Sequence, residues 1–139
     1  MHLYELSLNN FKNISEARLE LSGKVNCFLG NNGMGKSNLL DAIYFLSFCK
    51  SFTGVNDRLI IRRGEEWAMV RGRYERKGVD EELTLGLAAG KRKTLKRSGK
   101  EYRRPISLGV KNKIFSGVKP TLTQGGIRVW VFQSCHLLL

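Results

Sequence analysis

The sequence predicts an α/β fold in which an antiparallel β-meander lies beside a strand–loop–helix unit. Three observations predict it. Several segments alternate apolar and polar residues with a period of two. A short apolar run without alternation leads straight into a glycine-rich turn. That turn opens a long segment of helix formers with no Gly or Pro.

Taken in order, "LYELSLNNF" (residues 3–11) reads as a strand carrying Leu3, Tyr4, Leu6 and Leu8. "EARLELS" (16–22) reads as its partner, with Leu19 and Leu21 on one face, and "NNFKNIS" between them supplies the turn chemistry of a hairpin. Val25 to Leu29 is the run without alternation, as expected of a strand covered on both faces. Three glycines in the six residues from Gly30 to Gly35 take the chain out of that strand. From Lys36, "KSNLLDAIYFLSFCK" is apolar around most of its circumference, as in a buried helix, and Lys50, Ser51, Thr53 and Gly54 mark its end. Two more strands follow. In the first, Ala68, Val70, Gly72 and Tyr74 share a face; in the second, Leu83, Leu85 and Leu87 do, with Lys77-Gly78 as the turn between. "KRKTLKRSGKEYRR" (91–104) continues the meander as a charged edge strand.

The turn spells Gly30-Asn31-Asn32-Gly33-Met34-Gly35-Lys36-Ser37, the Walker A form, between a strand and a helix. Glycines let successive backbone N–H groups converge on an anion, and the helix N-terminus adds its partial positive charge. Lys36 is placed to reach the β- and γ-phosphates as a point charge, and the Ser37 hydroxyl to ligate Mg²⁺. A bland glycine turn would leave the Lys-Ser pair unexplained. Dinucleotide binding would need a different glycine spacing.

Charge divides the chain unevenly. The net formal charge is +12, yet residues 1–90 are nearly neutral. Residues 91–104 hold eight basic residues against one acid, and residues 105–139 hold no acid at all. The basic stretch is either a phosphate-tracking surface for DNA or the solvated edge of a basic protein. Within it only Tyr102 is aromatic, so base stacking is not indicated. No apolar run reaches the roughly 20 residues needed to cross a bilayer, and no secretion signal is visible, so a cytoplasmic protein is expected. Cys27, Cys49 and Cys135 have no metal-site spacing; Cys27 and Cys49 are expected to be buried, inert thiols.

"LSLNNFKNISEARLEL" followed by "KVNCFLGNNGMGKSNLLDAIYFLSFCKSF" closely resembles the RecF family of DNA-repair ATPases, which sit with the SMC-like and ABC-type heads. The shared residues are Asn10 to Asn13, then Gly30 to Asn38, then the helix to Phe52; the likeness extends more loosely to about residue 104. It implies that residues 1–104 are the N-terminal part of an ABC-ATPase-type P-loop head, with ATP and Mg²⁺ as cofactors. It also implies binding of single-stranded and double-stranded DNA, RecO and RecR as partners, and an ATP-dependent homodimer. The family's roles are recombinational repair, replication restart and the SOS response. By the same analogy Lys12 and Asn13 lie near the nucleotide.

A P-loop holds phosphate but needs an acidic pair after an apolar strand to hydrolyse it. No four apolar residues here are followed by Asp-Asp or Asp-Glu, and "LIIRRGEEW" interposes two arginines and a glycine. No ABC signature is present either. Catalytic acids are therefore not identified, and ATP binding without turnover is expected. Residues 105–139 depart from the family pattern; the expectation is that translation leaves the ancestral frame near residue 105, or else that "IRVWVF" packs as a strand of its own. A small P-loop kinase, with Arg62 and Arg63 in a lid, is the competing enzyme reading. A non-functional truncated fragment is a further alternative.

Overall fold

The computed structural model describes residues 2–31 and 33–102, and the backbone alone of 119–122 and 128–133. Asn32, Arg103, Arg104, Cys135 and Leu137 to Leu139 lie outside the described residues, as do the side chains of Trp130 and Phe132.

Six strands make one antiparallel sheet: β1 (His2–Phe11), β2 (Ile14–Glu20), β4 (Trp67–Arg76), β5 (Val79–Ala88), β6 (Thr94–Arg97) and β7 (Lys100–Tyr102). Their order across the sheet is β2-β1-β4-β5-β6-β7. The expected alternation holds where it was clearest: Ala68, Val70 and Tyr74 of β4, and Leu83, Leu85 and Leu87 of β5, all point into the core. Lys77 and Gly78 both have positive φ and close a two-residue hairpin in register Arg76↔Val79.

In β1, Leu3 and Leu6 are both buried although three residues apart, which strict alternation forbids. A β-bulge between Leu3 and Glu5, in the pairing with β4, absorbs the extra residue. The basic stretch is two strands rather than one. Ser98 and Gly99 take positive φ and turn β6 back as β7.

The helix α1 (Lys36–Phe48) lies on the inner face of this sheet. Gly72 permits the close approach: a Cβ there would sit 2.8 Å from Leu46 Cδ1 and 2.9 Å from Leu3 Cδ1. Phe11 and Phe45 meet with ring centroids 6.0 Å apart, among Leu6, Leu8, Ile43 and Leu85. A one-turn helix α2 (Asp57–Ile60), capped by the Asn56 side chain, adds Ile60 to the core. At four residues it is too short for periodicity to mark in the sequence.

The strand that enters the loop, β3 (Val25–Phe28), is not covered on both faces as expected. Val25 is 49% exposed and Cys27 is exposed rather than buried. The reason is its neighbourhood: β3 belongs to a separate three-stranded sheet, order β3-β9-β8. There it pairs antiparallel with β9 (Arg128–Gln133), which pairs in turn with β8 (Lys119–Leu122). An apolar run suits a covered strand, but the helix above it packs on the other sheet.

Candidate functional site: the glycine loop and the start of α1

Gly33 and Gly35 have φ of +83° and +88°, a conformation that L side chains rarely adopt. Gly35 is also crowded. A Cβ there would stand 3.2 Å from Asn13 Oδ1 and 3.5 Å from Ile14 Cγ1. Gly35 is the N-cap of α1, and no side chain caps the helix. Its carbonyl accepts the first helical bond, from Leu39 N–H at 2.9 Å. The first turn holds no acid. Unpaired N–H groups and an uncompensated positive helix end therefore face the loop.

Lys36, the first residue of the helix, is buried. Its ammonium donates to the backbone carbonyls of Gly30 and Asn31. Its stem passes over Gly30, with Nζ 3.8 Å and Cδ 3.9 Å from where a Cβ would be. Two of the three ammonium donors are thus engaged by the loop, and one remains for an anion. Ser37 follows, exposed, on the first turn.

The turn between β1 and β2 braces this arrangement. Asn13 accepts from Asn38 Nδ2 at 2.6 Å and donates to the Gly33 carbonyl at 3.5 Å. Lys12, expected near the nucleotide, has a partner within the chain. Its ammonium lies 2.6 Å from Asp41 Oδ2, in an ion pair whose carboxylate is only 4% exposed. Asp41 also accepts from Ser51 Oγ at 2.7 Å and from the Phe52 N–H at 2.6 Å. Lys12 is therefore a strut between the hairpin turn, the helix and the segment that leaves it. Nothing in the sequence singled out Asp41; a lone acid in an apolar helix, 29 residues from its partner, was the available signal.

The other end of α1 is closed. Cys49 adopts a left-handed conformation and donates its N–H to the Phe45 carbonyl at 2.8 Å. Lys93 Nζ donates to the Cys49 carbonyl at 2.5 Å and pairs with Asp57 at 2.9 Å. Its ammonium also stands 5.5 Å from the Phe45 ring centre. Arg97 is spent on Glu81, with bonds of 3.0 and 2.6 Å. Two of the basic residues from 91–104 thus have structural partners. Burial pushes the Cys49 thiol up from its ordinary range, with Lys93 opposing.

Among the described residues no three of His, Cys, Asp and Glu gather as a metal site. Glu65 and Glu66 are exposed before β4, with Arg62 3.9 Å from Glu65. No described helix is long and apolar enough to cross a membrane.

Residues 1–114 match the family model described as an AAA ATPase domain. The chain belongs to this ATPase family. Within it the match is to RecF: the DNA replication and repair protein RecF of Porphyromonas gingivalis (strain ATCC 33277) is 50% identical over 105 residues, covering 75% of this chain and 29% of that protein. RecF of Flavobacterium johnsoniae is 44% identical over 102 residues, covering 73% and 28%. The chain thus spans less than a third of the length of these curated relatives. A solved RecF–ATP structure, described as a recombination mediator of the RecFOR pathway, superposes with a TM-score of 0.71 at 32% identity, over 74% of this chain and 28% of that one. A structure from work on ATP-driven dimerization of SMC ATPases gives 0.68 at 19% identity, over 84% and 87%. That likeness shows the fold alone. The resemblance to RecF and the expected fold, the N-terminal portion of a P-loop ATPase head with its meander, both hold.

Proposed function

We propose that this chain is the ATP-binding N-terminal part of a RecF-type protein of recombinational DNA repair. The observation that carries the proposal is the loop from Gly30 to Ser37: glycines in left-handed conformations, a helix start with no side-chain cap and a lysine folded across the turn. These residues fit a triphosphate. Backbone N–H groups and Lys36 would hold its phosphates. Ser37 would ligate Mg²⁺, the remaining ligands being phosphate oxygens and water. Asn31, Asn32 and Met34 complete the loop; Asn32 is placed there by sequence alone.

The same reading extends to single-stranded and double-stranded DNA, to RecO- and RecR-type partners, to an ATP-dependent homodimer and to a cytoplasmic role in replication restart and the SOS response. The relatives' name, DNA replication and repair protein, and the RecF–ATP structure of the RecFOR pathway support the repair and ATP parts of this reading. The chain alone binds ATP without turnover, since no acidic pair follows an apolar strand in its sequence.

Calorimetry with Mg²⁺-ATP on the purified chain and on Lys36→Ala tests this, with phosphate release followed in the same samples. Saturable binding by the first, lost in the second, and no phosphate release is the expected result. Equal heats from both proteins would remove the loop from the function.

A further inference from the structure

The outer face of the six-stranded sheet carries a furrow along β5. Its floor is Thr84, Gly86 and Ala88, small residues that alternate with the buried Leu85 and Leu87. Register sets the walls. Trp67 and Met69 of β4 stand opposite Ala88 and Gly86 on one side, and Thr94 and Lys96 of β6 stand opposite Gly86 and Thr84 on the other. The floor runs for about 14 Å at the rise of an antiparallel strand. The hollow measures about 280 Å³. Gly86 keeps it open, since a Cβ there would stand 2.7 Å from Thr94 Oγ1. Unpaired charge falls on one side. Lys91 and Arg92, in the turn between β5 and β6, and Lys96 are exposed, and none is in an ion pair among the described residues. Arg18, Arg71 and Arg73 are by contrast paired with Glu5 or Glu82. Glu101, opposite Lys96 in register, is the nearby acid.

An apolar wall facing a cationic wall suits a ligand divided the same way. We infer that the furrow docks a short acidic segment of a partner protein, anchored by one large apolar side chain. That side chain sits on Gly86 against Met69 and Trp67, and the flanking carboxylates meet Lys91, Arg92 and Lys96. Residues 105–139 hold no acid, so they do not supply the segment. A bare polyanion would use the cations and leave the apolar wall in water. The inference goes beyond the ATP and DNA-repair reading and uses no residue of the glycine loop, so either can fail without the other.

The test is fluorescence anisotropy on the full chain with the labelled peptide Asp-Asp-Asp-Phe-Asp-Asp, nucleotide omitted. Replacing the peptide's Phe by Ala weakens binding about tenfold, the worth of one buried apolar side chain. Met69→Lys separates anchoring from charge: it weakens the Phe peptide by a similar factor although it adds a cation. Changing Lys91, Arg92 and Lys96 together to Gln weakens binding and reduces its salt dependence. The same change at Lys24, Lys77 and Lys100 has little effect. A wild-type measurement guards against misfolded variants: nuclear Overhauser contacts join the peptide's Phe ring to the Met69 methyl and the Gly86 α-protons. Absence of peptide binding, equal affinity for the Phe and Ala peptides, or contacts confined to other residues would each overturn the inference. A thymidylate 12-mer that displaces the peptide and binds Met69→Lys more tightly would overturn it in favour of nucleic acid. A dimer of the chain alone that Met69→Lys dissociates would overturn it in favour of a second copy.

Discussion

The two ends of α1 are built on opposite plans. The C-terminal end is saturated: Cys49 turns left-handed, Lys93 caps its carbonyl, and Asp57 holds Lys93 in place. The N-terminal end has a glycine cap, no side chain on its N–H groups and no acid in its first turn. Closing one end and opening the other fixes the helix while leaving its positive pole available to an anion. The brace near the open end comes from the side, through Asn13 on Asn38 and Lys12 on Asp41. The side braces, Lys12 and Asn13, are thus distinct from the proposed phosphate ligands, while Lys36 both ties the loop carbonyls and keeps a donor for the anion.

Four changes break or sharpen this contrast. Gly35→Val places a β-branched side chain at φ +88° against Asn13 and Ile14, and binding of Mg²⁺-ATP should fall below detection by calorimetry while the far-UV circular dichroism of the meander persists. Lys12→Met leaves the Asp41 carboxylate buried without its cation. Urea denaturation should show a loss of about 3 kcal/mol, much of it recovered in the double variant Lys12→Met/Asp41→Leu. A single-variant loss that the double variant fails to relieve would mean the pair is not the cause.

At the closed end, Lys93→Met should cost about 1 kcal/mol in the same assay and leave ATP affinity unchanged, because its partners lie at the far end of the helix from the loop. The smallest effect is electrostatic. Burial raises the Cys49 thiol, so the folded state keeps a proton that the unfolded state releases near pH 8.5. The stability this contributes is full below that pH and is lost progressively above it, as pH rises through the higher folded-state pKa. The urea midpoint should decline from about pH 8 upward, and Cys49→Ala should flatten that decline. Tyr74, whose phenol is fully buried and likewise raised, carries a further decline at higher pH.

What the sequence disclosed was whatever local chemistry alone determines. The Walker loop is a contiguous string of residues. The inward faces of β4 and β5 follow from period two, and the Lys77-Gly78 turn from its dipeptide. What it hid depends on partners distant along the chain. Lys12 and Asp41 are 29 residues apart, and Lys93 of the basic stretch meets Cys49 and Asp57, 44 and 36 residues away. The exposure of β3 and Cys27 belongs to the same class, since an apolar run does not declare which strand will lie beside it. The Ser98-Gly99 turn has the same chemistry as Lys77-Gly78, but it sits in a stretch whose charges blur the period of two on either side.

The order β2-β1-β4-β5-β6-β7 has a consequence for how the chain assembles. Every pairing in that sheet joins sequence neighbours except one, β1 with β4, and that one encloses the glycine loop and α1. Hairpins close quickly because their loops are short, whereas β1–β4 must bring together segments about 60 residues apart. The stretch from β4 to β7 is thus a local scaffold that can form early, and the phosphate loop takes shape last, as the ring between β1 and β4 shuts. Pulse-labelled hydrogen exchange during refolding should protect the amides of β4 and β5 before those that join β1 to β4. Simultaneous protection would show that the helix and both halves of the sheet condense as one nucleus.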